Sequence, residues 1–507
     1  MLSGLLHPFR GLNLLWVLGR EGATDVALSL APKGSFPATA LRVLGGLKGS
    51  RAKKRSPGTN LAHALKRLGP TYIKLGQILS TRADLIGEQA ALDLSALQDQ
   101  LEPFSDAQAR STLEQALGRP IDEVFDDFGP PISAASVAQV HLARLKTGKD
   151  VAVKILRPDI ERRFDRELRF LRWGARWAQR VVPDLRRAQP VGLIDVLREQ
   201  TAMELDLRME AAAADKMARN FKERGGLSTP APFWDLTSQR VLVMTRVYGI
   251  NIDERDKLRA AGHDVAKVTE IAASSFFNQV FRDGYFHADM HPGNIFIRDD
   301  GVLVPIDFGI MGYLEFSERL FLARLLSAML ERDYDEVAQL HKNAGMLKDS
   351  ISVHQFSQAI RAVADPVMGK ALGDVSLATV LGQILQISTR FEIEIQPEFN
   401  LLQKTMMMAE GVARQLNPQA DMWQLAKPLA QDWMAQEANL SKQAGQVVKT
   451  ILALSARLPA IFDALEQRQP SSQRSSPQPS ARPSRWPLGL AILALGLAIL
   501  SFFTHFH

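Results

Sequence analysis

The segment His287-Ala288-Asp289-Met290-His291-Pro292-Gly293-Asn294, followed by Asp307-Phe308-Gly309, constrains this chain more than any other feature. Asp289 and Asn294 stand five positions apart, and the short β-rich runs 295–297 and 303–306 lead into Asp307. Phosphoryl transfer from ATP needs a carboxylate near the acceptor oxygen and oxygen ligands for Mg²⁺ on the phosphates. This spacing supplies both, with Asp289 as the catalytic acid or base and Asn294 and Asp307 as metal ligands. A zinc site on His287 and His291 would lack a third ligand.

Such chemistry requires a phosphate-handling lysine upstream on a strand. Val151-Ala152-Val153-Lys154 fits, because alternating apolar residues bury one face and leave Lys154 projecting into a cleft. Runs 132–145 and 150–156 are β-rich and separated by the turn signal Lys146-Thr147-Gly148-Lys149, which reads as a hairpin. The start of the first run, Ile132, Ser133, Ala134, Ala135, Ser136, Val137, Ala138, Gln139 and Val140, occupies the place of a phosphate-covering loop yet contains no glycine. Its small residues permit close backbone approach, but without glycine's freedom at positive φ the loop should be stiff. Helix is expected over 160–181, in segments through 214 and from 264 onward, with a strand at 240–247. The Arg-rich helix over 157–187 could face acidic headgroups or nucleic acid, but it also carries Asp159, Glu161, Asp165 and Glu167, and reads rather as a solvated, salt-bridged face.

Composition narrows the class. Of 507 residues, 46% are hydrophobic and 23% charged, which excludes disorder for most of the length. The net charge of +6 suits nucleic acid and anionic membranes equally, but no nucleic-acid motif is present. The absence of cysteine excludes disulfides, thiolate metal sites and Cys nucleophiles. Leu12-Asn13-Leu14-Leu15-Trp16-Val17-Leu18 lies too far from Ala38-Thr39-Ala40 to be an export signal. Residues 486–503 are apolar and uncharged, close to the roughly 18 residues that cross a bilayer core, and so read as a membrane helix. Arg468, Arg474, Arg482 and Arg485 precede this run and no Lys or Arg follows it, which places the main body in the cytoplasm. The Pro- and Ser-rich stretch before it reads as a disordered linker.

From about residue 61 to the helices around Met408 the chain resembles the UbiB/AarF family of atypical kinases. Three features beyond the general kinase pattern carry the resemblance: Lys74-Leu75-Gly76-Gln77 is similar to the family's Lys-x-Gly-Gln motif, Glu204-Leu205-Asp206 to its Glu-x-Asp motif, and the Ala-rich loop to its phosphate loop. The resemblance implies an α+β, protein-kinase-like two-lobe fold with an N-terminal helical extension and one C-terminal transmembrane helix. It assigns Glu210 as the acidic partner of Lys154. It also makes Lys74 and Gln77, facing Glu204 and Asp206, a regulatory latch across the cleft. ATP and Mg²⁺ are the expected cofactors, and the expected role is in ubiquinone biosynthesis, alongside membrane-bound enzymes and isoprenoid or quinone intermediates. A homodimer through the terminal helix is compatible with the sequence.

The corresponding divisions are a basic segment at 1–60 with a possible membrane contact, a helical extension at 61–118 and a small lobe at 119–250. A helical lobe at 251–467, a linker at 468–485 and a membrane helix at 486–503 follow. Ala288 stands where many protein kinases carry Arg, and a helical run over 315–330 follows Gly309 closely, leaving no room for a long activation segment. ATP hydrolysis or a lipid-like acceptor is therefore expected over protein substrates. A small-molecule phosphotransferase and a nucleotide-gated scaffold are the alternatives. Met406-Met407-Met408 reads as core packing, with a lipid-accommodating groove as the other reading.

Overall fold

Residues 7–437, apart from 31–35, 51, 81, 96–100, 182–188, 369–375, 392 and 394–395, are described by a computed structural model. The expected linker and membrane helix lie outside the described residues. Among those described, no helix is long and apolar enough to cross a membrane.

Ahead of the first strand the chain forms α1 (His7–Glu21), α2 (Thr24–Leu30), α3 (Phe36–Gly45), α4 (Pro57–Leu68), α5 (Pro70–Ser80), α6 (Ala83–Ile86), α7 (Glu88–Ser95), α8 (Asp106–Leu117) and α9 (Ile121–Val124). Ser56 caps α4, its hydroxyl accepting the Thr59 amide at 3.1 Å. The division expected at residue 60 falls inside α4. Val17, Ala23 and Val26 share a core with Leu61, Leu65 and Tyr72, so the first sixty residues are packed helix over much of their length. The basic run is tied down as well: Ala52 is buried, its carbonyl accepts from Asn60 Nδ2 at 2.9 Å, and Arg55 bridges Glu21 at 3.8 Å. Basic residues far outnumber acidic ones there, and the apolar positions at helical spacing bury one face.

Four strands form an antiparallel sheet in chain order: β1 (Phe125–Ala134), β2 (Ala138–Leu145), β3 (Asp150–Leu156) and β4 (Val241–Thr245). The run expected as one strand over 132–145 is thus split by a turn at 135–137, and β1 begins seven residues earlier than expected. Gly148, at φ 79°, closes the β2–β3 hairpin. Between β3 and β4 come α10 (Ile160–Val181), α11 (Pro190–Glu204) and α12 (Leu207–Phe221), which pack Phe164, Leu168, Leu197 and Ala211 beneath the sheet.

The second lobe is mostly helical. It comprises β5 (Ile250–Asn251), α13 (Arg255–Ala260), α14 (Val265–Phe277), β6 (Tyr285–His287), β7 (Ile295–Ile297), β8 (Leu303–Pro305) and β9 (Met311–Tyr313). These are followed by α15 (Phe316–Glu331), α16 (Tyr334–Asn343), α17 (Val353–Met368), α18 (Leu377–Arg390) and α19 (Pro397–Leu416). A single core unites Phe276, Phe281, Leu322, Phe356, Leu381, Met406 and Trp423. Met406 is therefore core, whereas Met407 is exposed.

Candidate active site

Strand β3 presents Val151, Val153 and Ile155 to the upper core and turns Ala152 and Lys154 to the opposite face. In the antiparallel register Val140 stands opposite Lys154 and Gln139 opposite Ile155. Val140 therefore shares the face of Lys154, while Gln139 points into the core. That corrects its expected nucleotide contact: Gln139 is fully buried, its Oε1 accepts the Phe104 amide at 3.0 Å, and its Nε2 lies 2.8 Å from His141 Nε2.

The rest of the Ala-rich loop caps the strands tightly. Ala135 donates to the Ala138 carbonyl at 2.7 Å, and Val137 and Ala138 belong to the core beneath the sheet. Ser136 is also fully buried, and its hydroxyl meets no partner among the described residues. Ile132 and Ser133 are exposed. Arg157 pins the turn from behind, its amide donating to the Val137 carbonyl at 2.8 Å and its guanidinium to the Ala135 carbonyl at 2.9 Å. Stiffness, expected from missing glycine, thus has a second source that no motif announced.

Lys154 Nζ lies 2.8 Å from both Glu210 carboxylate oxygens and 3.4 Å from Asp307 Oδ1. Helix α12 delivers Glu210 on its buried face, beside Ala211, Ala214 and Met217, and Asp206 caps that helix by accepting the Arg208 amide at 3.1 Å. Burial pushes the Glu210 carboxyl up to about 7 against the pull of Lys154. Burial also pushes Asp307 upward, but the Lys154 ammonium and the Gly309 amide outweigh it and hold Asp307 at about 2. For Lys154, burial is outweighed by the two carboxylates, which keep it above the ordinary ammonium value.

Asp289 and Asn294 sit on the loop between β6 and β7, with Asn294 Nδ2 donating to Asp289 Oδ2 at 3.3 Å. His287 links this loop to Asp307. Its Nδ1 accepts the Asp289 amide at 3.2 Å, which makes Nε2 the protonated nitrogen, and Nε2–H donates to the Asp307 carbonyl. Burial holds this imidazole below its ordinary value, consistent with the neutral tautomer. His291 Nδ1 accepts the Gly293 amide at 3.1 Å. Both rings thus brace the backbone of this loop, His287 through both of its nitrogens and His291 through Nδ1.

Two further residues hold the loop, and neither belongs to a motif read from the sequence. Gln279 lies in the π-helix Asn278–Asp283 that extends α14, and its Oε1 accepts the His287 amide at 2.9 Å. Thr405 of α19 places its hydroxyl 3.2 Å from the Ala288 carbonyl and 2.8 Å from its own helix's Leu401 carbonyl, sharing one proton between them. Both are fully buried. Each stands among other polar residues, Gln279 beside Asn278 and Thr405 after Gln403 and Lys404, so the sequence carried no signal that singled it out.

Asp307 and Asn294 offer hard oxygen ligands, and 43% of the Asp307 side chain is open to the cleft. No cluster of three or more His, Asp or Glu side chains that could hold a metal occurs among the described residues. A Mg²⁺ ion held here would draw the remainder of its shell from phosphate and water.

Lys74 of α5 is buried, and its Nζ meets Glu204 Oε1 at the end of α11 at 2.5 Å. Gln77 is half-buried one turn further along α5. Asp206 is engaged by Arg208, its Oδ1 accepting Nε at 2.8 Å. The two motifs therefore meet through Glu204, not Asp206. Gly69, at φ 108°, ends α4 and leads into α5 in a backbone conformation that side-chain-bearing residues rarely adopt, and Arg163 Nη2 donates to the adjoining Leu68 carbonyl at 3.2 Å.

Two family models match the chain: the ABC1 atypical kinase-like domain over residues 96–341 and the UbiB helical domain over residues 360–421. Among solved structures, the complex of Rv3197 with erythromycin from Mycobacterium tuberculosis is 24% identical, with a TM-score of 0.46. The match covers 70% of this chain and 90% of that one.

Proposed function

The chain belongs to the UbiB/AarF family of atypical kinases, and on that premise we propose that it binds ATP and Mg²⁺ between its lobes and turns ATP over in support of ubiquinone biosynthesis at a membrane. The observation that carries this reading is the cluster of Lys154, Glu210 and Asp307, joined through His287 to Asp289 and Asn294. Glu210 would fix Lys154 for the α- and β-phosphates, as paired Lys and Glu do in kinase sites. Asn294 and Asp307 would hold Mg²⁺, which neutralises phosphate charge when bound. Asp289 would orient the acceptor hydroxyl or a water, so that catalysis is mainly positioning and charge compensation. Ala288 and the short interval between Asp307 and α15 favour water or a lipid-like acceptor over protein.

Membrane residence rests on residues 486–503 and on Leu12, Leu15, Trp16, Val43 and Leu47, which are exposed on and just beyond α1 and α3. In this reading the partners are isoprenoid or quinone intermediates and membrane-bound enzymes of the pathway.

The test is Mg²⁺-dependent ATP turnover by the full chain in anionic liposomes, beside Asp289→Asn, Asp307→Asn and a form ending at Gln467. The proposal expects turnover to fall at least about a hundredfold in both variants and to drop on truncation. Wild type that binds nucleotide yet turns over no faster than the variants would put the nucleotide-gated scaffold in its place.

A further inference from the structure

The exposed face of the second half of α10 differs from the rest of that helix. Asp159, Glu161, Asp165 and Glu167 all fall at or before its midpoint, where Asp165 pairs with Arg169 and Glu167 with Arg163 at 3.0 Å. Beyond Glu167 the outward positions are Arg169, Trp173, Arg176, Trp177 and Arg180, with no acid among them. Trp173 is 49% and Trp177 57% exposed, one helical turn apart. Arg176 and Arg180 form no ion pair among the described residues, and Asp195 of neighbouring α11 is taken by Arg172 at 2.7 and 3.0 Å. The salt-bridged face expected from the sequence thus covers only half of the helix.

We infer that this stripe, about 17 Å long at 1.5 Å per residue, docks the small lobe onto an anionic lipid surface. Two indoles flanked by guanidinium groups match the headgroup level of a bilayer, where the rings lie among glycerol and carbonyl groups and the cations meet phosphate. Trp173 stacks on Phe170 with ring centroids 6.1 Å apart, so its outer face and that of Trp177 are what the helix presents, and with Arg169 engaged by Asp165 and Arg176 lying in the field of Asp195, it is Arg180 above all that calls for an anionic counterpart outside the chain. The inference rests on the membrane part of the reading above and adds a surface, a lipid charge and an orientation to it: the lobe that carries Lys154 lies down on the bilayer rather than hanging from a tether.

The chain contains no cysteine, so Arg176→Cys provides a single attachment point for an environment-sensitive fluorophore, and Lys342→Cys on α16 provides the control. Each full-length variant is reconstituted into vesicles of phosphatidylcholine alone or of equal parts phosphatidylcholine and phosphatidylglycerol, with brominated lipid as quencher. Docking predicts strong quenching at position 176 on the anionic vesicles, little on the neutral ones, relief by salt, and no such pattern at position 342. Adding Trp173→Ala and Trp177→Ala should reduce quenching at least about threefold, with unfolding curves confirming that the variant is folded. A label at 176 that stays in water while the chain floats with the vesicles overturns docking and leaves membrane anchorage intact. Equal quenching on both vesicles, or shielding of the label in lipid-free micelles as a protein contact would give, also overturns it.

Discussion

Lys154 is the residue on which the small lobe and the candidate site depend together, because it is the cation shared by the buried Glu210 and the cleft-facing Asp307. Removing it leaves Glu210, whose side chain is 6% exposed, without its counter-charge. Lys154→Met should therefore lower unfolding free energy by about 3 kcal/mol. Adding Glu210→Gln should restore part of that loss, since the buried charge then disappears with its partner. Chemical denaturation of both single variants and the double variant measures the coupling, and additive losses would show that the pair does not act as a unit. Asp289, Asn294, Asp307 and Lys154 were legible in the sequence because their chemistry requires fixed types at fixed spacing. His287 was visible but not its role, since a ring that bridges two backbone segments leaves no spacing rule. Gln139 was misassigned because a composition-based loop ignores the alternation that sends each second residue of a strand into the core.

At the scale of elements, α19 and the π-helix grip the loop of Asp289 from two sides, through Thr405 on the Ala288 carbonyl and Gln279 on the His287 amide. Thr405→Val keeps the shape and removes the donor. It should reduce kcat roughly tenfold while leaving KM for ATP nearly unchanged, because a displaced loop affects positioning more than nucleotide binding. Thr405→Ser should retain activity, and a Val variant as active as wild type would remove Thr405 from this role. The latch between α5 and α11 belongs to the same scale. Lys74→Ala should lower stability by about 2 kcal/mol, since it removes the buried cation that meets Glu204 at 2.5 Å, and should alter ATP affinity or turnover. Unchanged nucleotide affinity and turnover would reduce the bridge to a structural tie. Beyond the N-terminal segment the helices were largely readable from apolar periodicity, α10 to its ends. The π-helix was not, because one extra residue in a helical turn changes no composition and barely disturbs the apolar pattern.

For the whole molecule, buried neutral imidazoles set an acid limit. His341 is buried between Phe321 and Phe356, with Nδ1 2.8 Å from the Val337 carbonyl, and burial lowers its pKa from 6.5. His141, stacked on Phe128, is lowered for the same reason. Below 6.5 the unfolded chain binds protons that the folded chain refuses, so this contribution to stability is complete above that value and declines as pH falls. The melting temperature should drop between about pH 7 and pH 5, and less steeply in His341→Phe. Equal slopes would mean that His341 accepts its proton while folded. The two-lobe division was legible because β-rich and helical runs are segregated along the chain, whereas the packed N-terminal helices were obscured by their basic residues. The bridge from Lys74 to Glu204 also bears on the order in which the molecule is made. Its two ends lie well over a hundred residues apart, so α5 leaves the ribosome roughly ten seconds before its partner exists. During that interval Lys74 remains hydrated, and although the N-terminal helices can already pack on one another, the docking of α5 against α11 is a late event of synthesis, completed only when α11 emerges.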